Sequence, residues 1–501
     1  MLGAGGGIAA LAAAGAIGYE LHPGSGSKPP PKPKPKPQPS QSQSQSPATL
    51  DKPFVTRPDL SPPEVTITQL VPASQVESTP RFIALAPDNV IRNSTPWQQG
   101  MMLVDRQGRL VWFEAAKQGK PFDLKMQTYN GKPALTWWEG GLIADFGSGK
   151  AQIADSTFNT IKTVPGGNGL TMDLHEFSIT QSGAGLATAY DITRADLTPL
   201  KGAAHGKTVN CHAQVLDIAT GKATFDWNAL EHVAVQESYQ IAPRKASNLY
   251  DFFHMNSLQM LPDGSILVCA RNTWTIYKVN GKTGDIIWRM GGKKSDFKVE
   301  TQAQWAWPHH ATMWSPTQMT LFDNSSTKGP LSRGLLLGVD ESAMAVSLIQ
   351  EFKNPTGFYS GTLGSVQLMS NGNVFIGWGT QPYFSEHASD GTLLTLGQLP
   401  MGTRSYRAFL VDIVGAPADK PAMTVKDYAA GGSVVFVSWN GATELASWRI
   451  DAGAHPKALM PVGTSPWTGF ETAIVVDSEG PRYQAVALDS NGNELGRSEV
   501  A

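Results

Sequence analysis

The sequence is short of three things, and each shortage narrows what the protein can do. Only two cysteines occur in 501 residues, Cys211 and Cys269, and no CxxC pair exists. The CxxC metal pattern is therefore missing. Cys269 lies in the apolar run Ser265-Ile266-Leu267-Val268-Cys269-Ala270, and the two cysteines read as buried thiols. A single disulfide stays open for an exported chain. Charge is also scarce: charged residues make up 16 %, and the net charge is −2. No basic face is implied, so nucleic acid is not an expected partner. The low charged share favours an exported protein. Long amphipathic helical patterns are the third shortage, with Leu230 to Val235 the best short candidate.

Turn formers and apolar side chains are plentiful. The chain has 51 Gly, 35 Pro and 14 Trp, and 41 % of its residues are apolar. That supply suits a large core built from many short strands and turns. Length alone suggests about three domains, a prior that large all-β folds routinely break.

Residues 1–27 form an uncharged Ala/Gly-rich leader over Met1 to Tyr19, continuing to Ser27. It reads as a signal segment or membrane anchor, but the basic start of such segments is missing, so the beginning given is expected to be truncated. Residues 28–64 open with KPPPKPKPKPQPSQSQSQSP. Lys-Pro and Ser-Gln alternation cannot bury a core and predicts an extended spacer. Leader and spacer together predict a secreted or envelope-anchored protein, outside the cytoplasm.

From residue 65 to 501 a strand–Gly turn–strand unit recurs. Met102-Leu103-Val104-Asp105 leads through Gly108 to Leu110-Val111-Trp112-Phe113. Similar units surround Gly221, Gly284, Gly391 and Gly492. Further strand-like runs cover 335–337, 346–349, 373–378 and 434–439. Repeated hairpins predict an all-β fold, and a propeller above a large sandwich, because radial repetition leaves few free sheet edges. Residues at one end of a propeller's innermost strands converge on its axis.

Ten histidines are present. His22 lies in the leader, and His205, His212, His232, His387 and His455 show no partner pattern. His175, His254, His309 and His310 each stand beside apolar, strand-like residues, in LHEFSI, FFHMN and WPHHAT. The spacing (79 residues from 175 to 254, 56 from 254 to 310) allows one contribution per blade. Neutral imidazole is both a nucleophile and a proton carrier. With Asn256 and Arg271 near His254 in sequence, such histidines could hold and attack an anionic sulfate or phosphate ester. Each histidine alone is more commonly a hydrogen-bonded core or turn residue. Three imidazoles could instead bind zinc, but no HxH or HxxxH pair supports that, and no metal or other cofactor is expected.

The run from Asp251 to Asn324 resembles the arylsulfotransferase family, in its actinobacterial and fungal-type branch. The matching elements are DFFHMNS, LPDGSILVCARNTWTIYKVNGKTGDIIWRMGGKKSDF, WPHHATM and LFDN. LTWWEG, DLHEF, ESY, QPYFSEH, SYRAF, SWNGATE and GFET extend the similarity to roughly residues 75–498. The resemblance implies a six-bladed propeller that moves a sulfuryl group from a phenolic sulfate ester to a phenol without a nucleotide donor. It assigns the nucleophile to His310, which would be transiently sulfated, with His309 where the family often has Gln. His254 with Asn256, then Arg271 and His175, complete the implied set. Arg271 offers a planar donor array to sulfuryl oxygens, with Asn256 and His254 as further donors, and His175 or His254 as the proton carrier. Trp274, Trp305, Trp307 and Tyr383 could hold the phenol ring, although many such aromatics simply pack the core. Two further readings stand beside this one: a non-catalytic envelope scaffold, because a propeller fold alone implies no chemistry, and an aryl sulfate hydrolase.

Overall fold

The computed structural model describes residues 54–72, 76, 79–90, 96–325, 331–428, 431–477 and 480–501. The apolar leader and most of the Pro/Lys/Ser/Gln-rich spacer lie outside these residues. No described helix is long and apolar enough to cross a membrane.

Turn chemistry sets the strands. Asp105 ends the strand Gly100–Asp105, and its carboxylate accepts the N–H groups of Gln107 and Arg109, at 2.9 Å each. Gly108 then takes φ +84°, which a side chain would oppose, and Leu110–Ala115 returns with Trp112 opposite Leu103. Asp489 repeats the device, accepting from Asn491 and Asn493. Helix is almost absent among the described residues. Leu230 falls in a single α-turn, Ala229–His232, whose Asn228 cap accepts the Glu231 N–H at 3.0 Å.

The strands form seven sheets among the described residues, mostly antiparallel, so the fold is all-β. The longest sheet joins two strand groups. Lys120–Tyr129, Lys132–Ile143 and Phe146–Ala154 make the first, and Met172–Ile179, Gly185–Ala195, Gly206–Leu216 and Ala223–Asn228 the second; they meet only where Gly149 faces Met172. Two sheets are completed by strands distant in sequence. Phe82–Asn89 pairs with Thr403–Val411, and Thr66–Gln69 pairs with Leu393–Gln398.

The leading strand of each group packs against that of the next. Lys120–Tyr129 contacts Met172–Ile179, which contacts Met255–Met260, then His309–Ser315, Ser365–Leu368 and Thr403–Val411, and the last returns to Lys120–Tyr129. Apolar side chains fill the space between sheets. Leu267, Cys269, Ile276 and Met290 of one sheet meet Met319, Leu321, Leu335 and Leu337 of its neighbour. Ile266–Ala270 is buried on both faces, so it carries no polar alternation. Cys211 and Cys269 are both buried free thiols, and burial pushes the Cys269 thiol up to about 12.

Residues 422–497 stand apart from this succession. Ala422–Asp427, Ser433–Ser438 and Glu471–Val476 form one sheet, and Ser447–Gly453, Met460–Pro466, Arg482–Leu488 and Glu494–Arg497 form another. Their core is their own, built on Val435, Val437, Trp448, Ile450, Ile474 and Ala485. The hairpin around Gly492 belongs here. Residues 54–60, expected as spacer, dock against this region: Phe54 packs on Phe470 at 4.5 Å, and Thr56 bonds both Glu471 and Ser438.

His212, which shows no partner in sequence, gains two from neighbouring strands. Its Nδ1 meets Asp226 at 2.8 Å and its Nε2 meets Asp191 at 2.9 Å. Burial lowers its pKa, but the two carboxylates outweigh that and hold it above the ordinary 6.5. A raised folded value gives stability that is complete below the unfolded pKa and lost as pH rises through the folded one. His212→Asn is therefore expected to lower the melting temperature more at about pH 6 than at about pH 9. Equal losses at both pH values would show that the charge contributes nothing.

Candidate active site

Three imidazoles meet on three successive leading strands: His175 within Met172–Ile179, His254 just before Met255–Met260, and His309 opening His309–Ser315. The His254 ring lies edge-on to His175, with centroids 4.8 Å apart, and 6.5 Å from that of His309. His254 therefore stands between the other two. Two of the three are backed by carboxylates: His175 Nδ1 meets Asp173 at 2.6 Å, and His254 Nδ1 bonds Asp251. The third is backed by an amide, with His309 Nδ1 2.5 Å from Asn324 Oδ1. All three rings are buried.

Arg271 follows the strand Ile266–Ala270 and is partly buried. Its Nη1 donates to Asn272 at 2.8 Å and its Nη2 to the Gly361 carbonyl at 3.1 Å. Its Nε–H is buried without a partner, as is Asp251 Oδ1. Such an N–H beside the imidazole group is available to an anionic ligand. The guanidinium sits 4.6 Å above the Trp307 ring. Trp307 meets Trp274 edge-on at 5.3 Å, and Trp274 stacks on Tyr239 at 3.8 Å, so an aromatic wall extends outward from Arg271. Trp305 supports that wall, donating its Nε1–H to the Trp274 carbonyl at 3.0 Å.

The backbone here is held in unusual conformations. His254, Trp274, Trp307, His310 and Leu363 all have φ between +51° and +67° without being glycine. Side chains rarely adopt that region, and residues that do so gather at functional sites.

Not every expected residue joins the group. His310 does not accompany His175, His254 and Arg271: its ring packs on Phe409 at 5.5 Å, and its Nδ1 accepts the Val366 N–H at 3.2 Å. It borders a separate cavity of about 260 Å³ with Lys125, Met126, Trp314 and Gln367. The reason is local. The His309–Ser315 strand is bulged between His309 and Thr312, and the two adjacent side chains diverge. Asn256, expected to face a ligand, spends its amide on the backbone instead, donating to the Pro308 carbonyl at 2.7 Å and accepting from His310 N at 3.3 Å. It clasps the segment that carries His309. Tyr383 lies elsewhere, stacked on Phe358 with centroids 6.3 Å apart.

Several partners were not singled out from the sequence. Asp173 and Asp251 stand two and three residues before their histidines, a legible spacing. Asn324 closes the LFDN motif. Tyr406 and Arg407 lie in SYRAF: Tyr406 Oη donates toward the carbonyls of His175 and Asn256, and Arg407 Nη2 donates to the latter at 2.8 Å.

Burial sets the protonation preferences. It pushes His309 well below the ordinary imidazole value, and the nearby charges of Arg271, His254 and His175 push the same way. Burial also lowers His175, against the opposing pull of Asp173. Burial would raise Asp173, yet His175 and the N–H groups of Gly147 and His175 bring it below the usual carboxylate value. The result is a water-poor group of imidazoles, at least one strongly biased to the neutral form, beside a fixed guanidinium. Such a group can bind an anionic ester, attack it and pass a proton to the leaving group.

Solved structures similar to this chain are distant. One is a virginiamycin B lyase from Staphylococcus aureus, at 11 % identity, covering 76 % of this chain and 97 % of that one with a TM-score of 0.34. A protein from Lactobacillus plantarum gives 13 %, 78 %, 97 % and 0.33 on the same measures. A GH43 protein from Bacillus licheniformis gives 9 %, 76 %, 89 % and 0.32. Likenesses this weak bear on neither fold nor activity. No curated protein matches the chain. The sequence model of the arylsulfotransferase (ASST) family, by contrast, matches residues 125–397, a span that holds all three clustered histidines, Arg271 and Asn324. That is 273 of 501 residues, more than half, and the chain belongs to the arylsulfotransferase family.

Proposed function

We propose that the protein transfers a sulfuryl group from a phenolic sulfate ester to a phenol, without a nucleotide donor, through a covalent sulfohistidine. The observation that carries this reading is the cluster of His175, His254 and His309 beside Arg271, whose buried Nε–H lacks a partner. Sulfuryl transfer, like phosphoryl transfer, needs alignment and charge stabilisation more than elaborate covalent machinery. Arg271 supplies the charge, and Trp307, Trp274 and Tyr239 offer flat faces to an aryl ring. His309 carries the group in place of His310, because His309 shares the electrostatic environment of Arg271 and His254, whereas His310 faces Phe409 and the separate cavity.

The first half-reaction forms the bond from His309 nitrogen to sulfur and breaks the bond from sulfur to the aryl oxygen. The leaving phenolate takes a proton from His254, the ring between the other two. The second half-reaction reverses these steps with a new phenol, giving ping-pong kinetics.

The framework we propose is a six-bladed propeller over about residues 66–411, with residues 422–497 as an appended β-unit. It is supported by the six leading strands in cyclic contact and by the pairing of Phe82–Asn89 with Thr403–Val411. An extracytoplasmic location is proposed from the leader and spacer compositions.

The test is brief mixing with an aryl sulfate alone, followed by intact-mass measurement and peptide mapping. A gain of one SO₃ on His309 is expected. Turnover to a phenol with no trapped adduct would favour direct transfer. Release of inorganic sulfate at a rate indifferent to added phenol would make the protein a hydrolase, and no reaction at all would leave a scaffold.

A further inference from the structure

The three clustered imidazoles are alike in burial but not in backing, and the difference has a chemical meaning. His175 and His254 each direct Nδ1 at a carboxylate, Asp173 and Asp251. His309 directs Nδ1 at the amide oxygen of Asn324, 2.5 Å away, and at the Trp307 carbonyl, 3.2 Å away. The orientation of that amide is fixed by its other end. Asn324 Nδ2 donates to the Ser360 carbonyl at 2.7 Å and to the Leu363 carbonyl at 3.0 Å. Flipping the amide would set its oxygen against two carbonyl oxygens and lose both bonds. Asn324 is fully buried, so water cannot replace them. On the far side of the ring, the Leu363 backbone N–H lies 3.2 Å from His309 Nε2. A backbone N–H only donates, so Nε2 must present its lone pair. The two sides of the ring independently give the same tautomer.

We propose that Asn324 is a positioning residue that holds His309 as the Nδ1–H tautomer and leaves Nε2 as the atom that attacks sulfur, a reading that rests on the sulfuryl-transfer function above. The contrast between amide and carboxylate divides the labour. A carboxylate at Nδ1 stabilises an imidazolium formed during the reaction, so His254, backed by Asp251, can carry a proton in transit. An amide oxygen does so far less, which keeps His309 neutral among the charges that surround it: Arg271, His254 and His175. In the transfer step the Nε2 lone pair forms the N–S bond. The S–O(aryl) bond breaks with its electron pair on the phenolate, and His254 supplies the phenolate's proton. The sulfated ring keeps its Nδ1 proton on Asn324 and retains its positive charge, so it remains a good leaving group for the second phenol. The Leu363 N–H, which caps the lone pair when no ester is bound, is released to an incoming sulfuryl oxygen.

Two measurements test the proposal. Nitrogen-15 shifts of the histidine rings in the full chain, with His309 assigned by the signal lost in His309→Gln, report the tautomer without any turnover. A pyrrole-type Nδ1 and a pyridine-type Nε2 are expected, and the reverse pattern overturns the proposal. Asn324→Asp converts His309 to the carboxylate-backed kind. Its acid limb in kcat/KM for an aryl sulfate is expected to move up by about one pH unit or more. An unmoved limb, with the wild type active, overturns the proposal even if kcat falls. Should the variant not fold, the nitrogen-15 result on the wild type still decides. Should the wild type transfer no sulfuryl group, the functional reading fails while the tautomer measurement still judges Asn324.

Discussion

Replacing His309 by alanine is expected to reduce sulfuryl transfer on the order of 10⁴-fold or more, because it removes the group that forms the covalent intermediate. His310→Ala should cost less than about tenfold, since it removes one hydrogen bond to a backbone N–H and a ring contact. Turnover of a chromogenic aryl sulfate with a phenol acceptor measures both. The pair matters because the two residues are neighbours, and sequence similarity alone places the nucleophile at the second. A dead His310→Ala beside an active His309→Ala would reverse the assignment and move the reaction to the cavity lined by Lys125, Met126 and Phe409. The pH profile gives a further check. Burial first, and the Arg271 charge second, hold His309 well below the ordinary imidazole value of 6.5. A lowered value leaves the ring neutral at pH values where a free imidazole is protonated. The acid limb that belongs to the nucleophile should therefore lie below about pH 6.5.

The strand-and-turn pattern was legible because local chemistry determines it: an Asp or Asn carboxamide or carboxylate closing a turn, then Gly at positive φ, as at Asp105 and Gly108. The expected strands at 335–337 and 346–349 fall within observed ones, and those at 373–378 and 434–439 overrun the observed Val374–Gly377 and Ser433–Ser438 by one residue at one or both ends. Which hairpins share a sheet was not legible. The Gly492 hairpin has the same local signature as the others, yet its strands pair within the 422–497 sheets, since pairing is decided by distant partners. At the site, His175, His254 and Arg271 were readable from their motifs. The choice between His309 and His310 was not, because it rests on strand alternation, and a bulge with His310 at φ +51° breaks that alternation at the critical step. Asn256 shows a different limit. Its place next to His254 suggested a ligand donor, but its amide is consumed by Pro308 and His310, contacts across 52 and 54 residues of sequence. Asn324 and Leu363 reach His309 from the loop after Gln318–Asp323 and the loop before Ser365–Leu368, and no spacing rule connects them.

The largest stability effect is expected beneath the site, at Arg407. Its side chain is 1 % exposed and bonds Asp123 at 2.8 Å and Glu176 at 2.9 Å, both of which are also buried. Lys125 joins the same carboxylates. Burial raises Asp123, whereas Arg407 and Lys125 overcome burial at Glu176 and hold it well below the usual carboxylate value. Arg407→Met keeps much of the volume but leaves two buried carboxylates with one cation. Removing one partner of a buried ionic network typically costs about 3–5 kcal/mol, because the remaining charge is neither solvated nor compensated. The exposed pair Arg497–Glu494 provides the contrast: Arg497→Ala should change stability by less than about 1 kcal/mol. Denaturant midpoints at neutral pH measure both variants. A loss below about 1 kcal/mol for Arg407→Met would mean that Asp123 and Glu176 take up a proton or water at little cost. The same variant connects stability to chemistry. Arg407 and Tyr406 both donate to the Asn256 carbonyl, and Asn256 clasps the backbone from Pro308 to His310. A folded Arg407→Met protein should therefore transfer sulfuryl groups more slowly, because His309 is no longer held in line with Arg271 and His254. Unchanged turnover would show that the clasp at Asn256 holds His309 without the charge below it.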